Sequence, residues 1–170
     1  MDFPTMNVIL FAEDLFKYAM ETIRMQWNMP HSLFEHQPVL ETYFSPDVGR
    51  AIVHLNIISI VQSYAFANDF SYRQYLRIST KEAFDTLQAI CRILMLEING
   101  FIKVCTLTID VFLHCLENNN YERAYDTFGI FICFLLKQRM YSGYGRQEGW
   151  RKMHFMADTI NRGHARMAGN

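Results

Sequence analysis

Six histidines, at positions 31, 36, 54, 114, 154 and 164, and four cysteines, at 91, 105, 115 and 133, are the side chains here best suited to hold a metal or attack a substrate. None of the histidines forms the H-E-x-x-H or E-x-x-H spacing that sets ligands on one helical face. His31 and His36 lie in a proline-flanked stretch, and no metal or other cofactor is expected. The cysteines are 14, 10 and 18 residues apart with no C-x-x-C pair, and each sits in an apolar run, so buried reduced thiols and an intracellular setting are the expectation. His114 precedes Cys115, but neighbours on a helix point about 100° apart, which argues against a catalytic dyad. His54 and His114 read as hydrogen-bonded core imidazoles. No G-x-S-x-G, Walker loop or G-x-G-x-x-G is present, and Gly143-Tyr144-Gly145 lacks the third glycine. A non-enzymatic protein is expected.

Charge carries more information than any motif. Residues 1–136 hold nine Lys/Arg against fifteen Asp/Glu, whereas residues 137–170 hold seven against two, so a net charge of −1 conceals a balance of −6 and one of +5. In the basic part Lys137, Arg139, Arg146, Arg151, Lys152, Arg162 and Arg166 alternate with Tyr141, Tyr144, Trp150 and Phe155. Guanidinium forks match phosphate oxygens and aromatic faces stack on unpaired bases, a mixture suited to single-stranded or looped RNA. Arg73, Arg77 and Lys81, in steps of four, are expected along one side of a helix as a second cationic stripe. The expected nucleic-acid contacts are thus Arg73, Arg77, Lys81, Lys137, Arg139, Tyr144, Arg146, Trp150, Arg151, Lys152, Arg162 and Arg166. A homo-oligomer would multiply such weak contacts. The rival expectation is a protein-interaction bundle, a regulator or viral-type accessory protein, whose hydrophobic groove beside Phe128–Leu136 takes a partner's amphipathic helix. Its support is the excess of apolar side chains, 15% aromatic with ten methionines.

The elements that must position these side chains read as helices. With 170 residues, 51% hydrophobic and 19% charged, the chain suits a single core and is too apolar for disorder. The longest strongly apolar stretch free of charge, Thr127–Leu136, is half of what crosses a bilayer, so no membrane insertion is expected. The start, Met1-Asp2-Phe3-Pro4, lacks the features of a secretory signal. Helical periodicity predicts an amphipathic helix over Thr5–Trp27, its inner side formed by Ile9, Phe16, Ala19, Ile23 and Trp27. Pro38 opens a short helix through Phe44, and Ser45-Pro46-Asp47 caps a longer one running to about Ala67. Asn68–Phe70 reads as a turn. Ser71 caps a brief helix, and Ser79-x-x-Glu82 has capping-box spacing ahead of Phe84, Leu87, Cys91, Leu94 and Ile98. Asn99-Gly100 supplies the left-handed stop.

Phe101–Leu116 reads as a helix despite its β-branched residues, with Asp110 expected to be buried against Lys103. After Asn118-Asn119-Asn120, a helix over about 121–140 has no polar face in its second half and is the natural centre of an all-α bundle of six or seven helices. Residues 1–141 form the helical core. Residues 142–170 form a basic helix or tail, packed on that core or extending from it: a flexible joint at Ser142–Gly145, a helix over Glu148–Asn161 and frayed residues from Arg162. Asn120-Tyr121-Glu122-Arg123-Ala124 followed by Phe128 resembles the start of the second helix of a tetratricopeptide repeat. The resemblance covers under a tenth of the chain, no second copy is visible, and it implies a helical hairpin and no function.

Overall fold

The computed structural model describes residues 3–25, 27, 43–55, 71–142 and 147–169, and among them every regular element is a helix. There are seven: α1 (Phe3–Ile23), α2 (Pro46–His54), α3 (Tyr72–Tyr75), α4 (Thr80–Leu94), α5 (Gly100–Glu117), α6 (Tyr121–Ser142) and α7 (Gln147–Ala168). The sequence elements at Pro38–Thr42, Asn56–Ala67, Asn68–Phe70 and Gly143–Gly145, together with His31 and His36, fall outside the described residues.

Local chemistry accounts for the ends of these helices. Ser45, Ser71 and Ser79 each accept a hydrogen bond from the amide three residues on, at 3.2–3.3 Å, and so satisfy one of the amides a first turn leaves without a partner. Helix α1 stops four residues short of Trp27 because Arg24, at φ 56°, turns left-handed, while the Met25 amide returns to the Met20 carbonyl at 3.1 Å. Helix α2 also stops early, at His54 and not at Ala67: Leu55 is extended, at φ −66° and ψ 115°. Asn99 takes the left-handed conformation, φ 56°, expected between α4 and α5. The following glycine is required by contact, since a Cβ on Gly100 would lie 2.4 Å from the Leu94 carbonyl oxygen. Ile98, expected on the inner face of α4, is 85% exposed because the helix has already ended.

The centre is shared by two helices. In α5 thirteen residues are buried, Phe101, Val104, Leu107 and Phe112 among them, and β-branched Val104, Thr106, Thr108 and Ile109 are helical because packing on several sides overrides their weak preference. Helix α6 forms a hairpin with α5 and packs also on α1 and α4, burying Phe128, Ile130, Phe131, Phe134 and Leu135. The Phe16 ring lies 4.7 Å from that of Phe112 and 5.0 Å from that of Phe128, both edge-on, joining α1, α5 and α6. The buried side of α1 runs Val8, Phe11, Ala12, Leu15, Phe16 and Ala19, with Ile9 at its margin.

Asp110 does not pair with Lys103. The Lys103 ammonium binds Glu97 at 2.9 Å, and Asp110 Oδ2 accepts a short hydrogen bond from the Tyr72 hydroxyl of α3. Burial and the Asp110 carboxylate hold the Tyr72 phenol well above its usual range, so it remains a donor. Of the cysteines, Cys91, Cys105 and Cys115 are buried free thiols, while Cys133 is exposed, because α6 keeps an outer side. Iodoacetamide at pH 8 is therefore expected to label Cys133 alone in the folded chain, with the other three labelled only after unfolding, as read by peptide mass spectrometry.

Candidate functional site

Helix α7 carries most of the described cations from the basic end of the chain, and its sequence sorts them by face. Trp150, Met153 and Ala157, with spacings of three and four, form a buried edge against α2 and α5. Arg151, Phe155, Arg162 and Arg166 lie on the opposite side, within about 60° of one another on the helical wheel, and all four are exposed. Lys152 borders them, also exposed. Fifteen residues separate the first arginine from the last, about 22 Å along the axis at the α-helical rise. Arg162 pairs with Asp158 of the preceding turn at 3.0 Å, both largely exposed, an interaction that phosphate can replace at little cost. Phe155 is 73% exposed in the middle of this row, a large aromatic face with no core to cover it.

Trp150 must be removed from the expected contact set. It is 2% exposed, its ring 5.0 Å from that of Phe11 and stacked on Tyr43 at 4.7 Å and 6°. A tryptophan so placed anchors the helix and has no face left for a base. Helix α7 also runs seven residues past Asn161, through the part expected to fray. Asn161 Nδ2 donates to the Asp47 carbonyl at 2.8 Å, which turns its Oδ1 toward His54 Nδ1 at 3.1 Å and makes that nitrogen the donor. The His54 ring then stacks on His164, centroids 3.8 Å apart and planes 9° from parallel. These contacts pin the second half of α7 to α2, and with it Arg162 and Arg166.

The second stripe is not a stripe on one helix. Arg73 lies in α3, Arg77 in the turn that follows and Lys81 in the first turn of α4, all exposed. Steps of four fail here because Leu76 caps α3 after a single turn and Ser79 starts a separate helix. Lys137 lies elsewhere, on α6, its ammonium 5.1 Å from the centre of the Phe84 ring and 3.5 Å from Gln88 Oε1. The Arg139 side chain, Tyr144 and Arg146 lie outside the described residues. Tyr72, beside Arg73, reaches Asp110 on α5, and Met167, beside Arg166, borders a cleft that Asp110 also lines.

Among the described residues His114 and Cys115 do not face each other. The His114 ring lies against Tyr72 at 5.2 Å, while the neighbouring Cys115 is buried on another side of α5, its thiol pushed up to about 11 by burial. Among the described residues no group of three or more His, Cys, Asp or Glu converges as a metal site, and no helix is long and apolar enough to cross a membrane. The apolar residues expected to flank a partner groove at Phe128–Leu136 are mostly buried. A cleft of about 620 Å³ instead opens between α1, α2, α5 and α7. Periodicity within α7 could have separated Trp150 from Phe155, whereas Asn161 and the cleft carried no signal in the sequence.

Comparison with protein-family models, curated proteins and solved structures finds none that matches this chain.

Proposed function

We propose that this is a non-enzymatic RNA-binding protein that holds single-stranded or looped RNA along the outer face of α7. The observation that carries this reading is the exposed Phe155 in line with Arg151, Arg162 and Arg166, beside Lys152. Cations spaced over about four helical turns track a phosphate backbone, and an aromatic face among them stacks on a base whatever its identity. The helix is held to the body by Trp150, Asn161 and His164, so the row is rigid and little ordering entropy opposes binding. The net charge of −1 means that attraction comes from this face and not from the whole molecule.

The test is a fluorescence-anisotropy titration of the full chain with a random single-stranded RNA at ~50 and ~200 mM salt. About five phosphate contacts predict a slope of about −3.5 and a roughly 100-fold loss of affinity over that range. Replacing Arg151, Lys152, Arg162 and Arg166 together by alanine is expected to reduce binding to the detection limit. Phe155→Ala, which leaves every cation in place, is expected to weaken binding roughly 5- to 150-fold with the salt slope unchanged, as loss of one stacked base would. Affinity that survives both changes would exclude this face.

A further inference from the structure

The cleft between α1, α2, α5 and α7 has properties that the RNA reading does not use. Its volume, about 620 Å³, falls within the roughly 300–1,000 Å³ typical of sites for small organic molecules. Ile52 and Ile109 form a buried apolar floor, and Val53, Leu55, Leu113 and Met167 form the walls. Thr106 also reaches the cleft, but its hydroxyl is committed to the backbone, 2.9 Å from the Ile52 carbonyl and 3.0 Å from that of Ile102. His54 and His164 close one end, stacked on each other and held by Asn161.

Among the described residues Asp110 is the one carboxylate lining this cleft. It is half-buried and held from α3 by the Tyr72 hydroxyl on Oδ2. That hydrogen bond fixes its orientation and uses one of the roughly four acceptor positions a carboxylate offers. An anion set in an apolar wall is poorly solvated, so a cationic donor entering the cleft gains a charge-assisted hydrogen bond where water competes weakly. We infer that the cleft binds a small amphipathic amine, whose ammonium pairs with Asp110 while its apolar body lies against Leu113, Val53 and Met167. The charge of the lining selects this class over acids and neutral alcohols: Asp110 repels a carboxylate, and an alcohol forgoes the ionic part of the contact.

The test uses the full chain and three probes of equal length, n-hexylamine, n-hexanol and hexanoate, titrated at pH 7 while the Met167 methyl and His164 ring signals are followed by NMR. The expected result is saturable shifts with hexylamine, affinity for hexanol lower by about ten-fold or more, as for loss of a hydrogen bond to a charged group, and none for hexanoate. Asp110→Asn keeps an acceptor for Tyr72 and is expected to reduce hexylamine binding to the level of hexanol. Leu113→Trp, which fills the cleft, is expected to abolish both. Equal binding of amine and alcohol, no saturable shift with hexylamine, or an Asp110→Asn variant that binds hexylamine as tightly as the parent would overturn the inference. The probe series on the unaltered chain decides the matter even where a variant folds poorly. RNA affinity is a separate readout on the opposite face of α7.

Discussion

Replacing Arg123 with alanine is expected to lower the free energy of unfolding by about 3 to 5 kcal/mol. Arg123 is buried in the first turn of α6, where its guanidinium donates to the Tyr75 carbonyl at 3.0 Å and to the Ile78 carbonyl. It also lies 3.5 Å from Asp126 and 5.2 Å from the centre of the Tyr75 ring. One side chain therefore ties α6 to the end of α3 and to the turn before α4. Truncation removes the donor that reaches the Tyr75 and Ile78 carbonyls and the cation beside half-buried Asp126, which keeps the Thr80 hydroxyl at 3.1 Å. For a chain of this length the loss corresponds to roughly 6 to 20 °C in Tm. Arg123→Lys keeps the charge but not the fork that serves two carbonyls at once, and is expected to recover less than half of the deficit. Calorimetry of the two variants checks this, and a loss below about 1 kcal/mol for the alanine variant would contradict the role given to the guanidinium.

The second large effect is a steep loss of stability in alkali. Burial pushes the Cys91 thiol up from 9.0 to about 12 and Cys115 to about 11, and raises Cys105 well above its ordinary value. In the unfolded chain these thiols release their protons near pH 9, while the folded chain retains them. The folded state then binds more protons, so stability is fully present below about pH 9 and falls as pH rises toward the folded values. Each thiol contributes about 1.4 kcal/mol per pH unit, and three together about 4 kcal/mol per unit, against a total stability for a domain of roughly 5 to 15 kcal/mol. Unfolding is expected between about pH 10 and 11 under reducing conditions, with tyrosines 72 and 75, also raised by burial, adding to the slope at the upper end. Urea midpoints measured at half-unit steps from pH 8 to 11 read this directly. Cys91→Ala should reduce the slope by about a third, and a midpoint constant to pH 10.5 would contradict the burial argument.

Both predictions concern groups whose type was visible in the sequence and whose partners were not. Arg123 stands in the short segment that resembles a tetratricopeptide-repeat helix, and the hairpin this implied is the α5–α6 pair. That its side chain turns inward to serve α3 was not legible, because Tyr75 and Ile78 are more than forty residues away and offer only backbone oxygens, which leave no mark in a sequence. Lys103 was the near partner for Asp110 in sequence, yet the pairing that formed was with Tyr72 of a different helix. Cys133 sits in an apolar run like the other three cysteines, and only the side of α6 that α1, α4 and α5 leave uncovered puts its thiol outside.

What the chain's order of residues determined by itself is the helical class, most helix starts and the polarity of charge. Serine caps, periodic apolar positions and a left-handed Asn99 act over a few residues, so their consequences can be read locally. Composition likewise concentrated cations after residue 136, with a balance of +5 in that part. Tertiary structure alone decided that Trp150 docks on Phe11 and Tyr43, that α7 stays helical to Ala168, and that Asp110 borders a cleft. The physical reason is range. A cap or a helical period is satisfied within one or two turns of its own backbone, whereas exposure and pairing depend on how separate helices divide a common core.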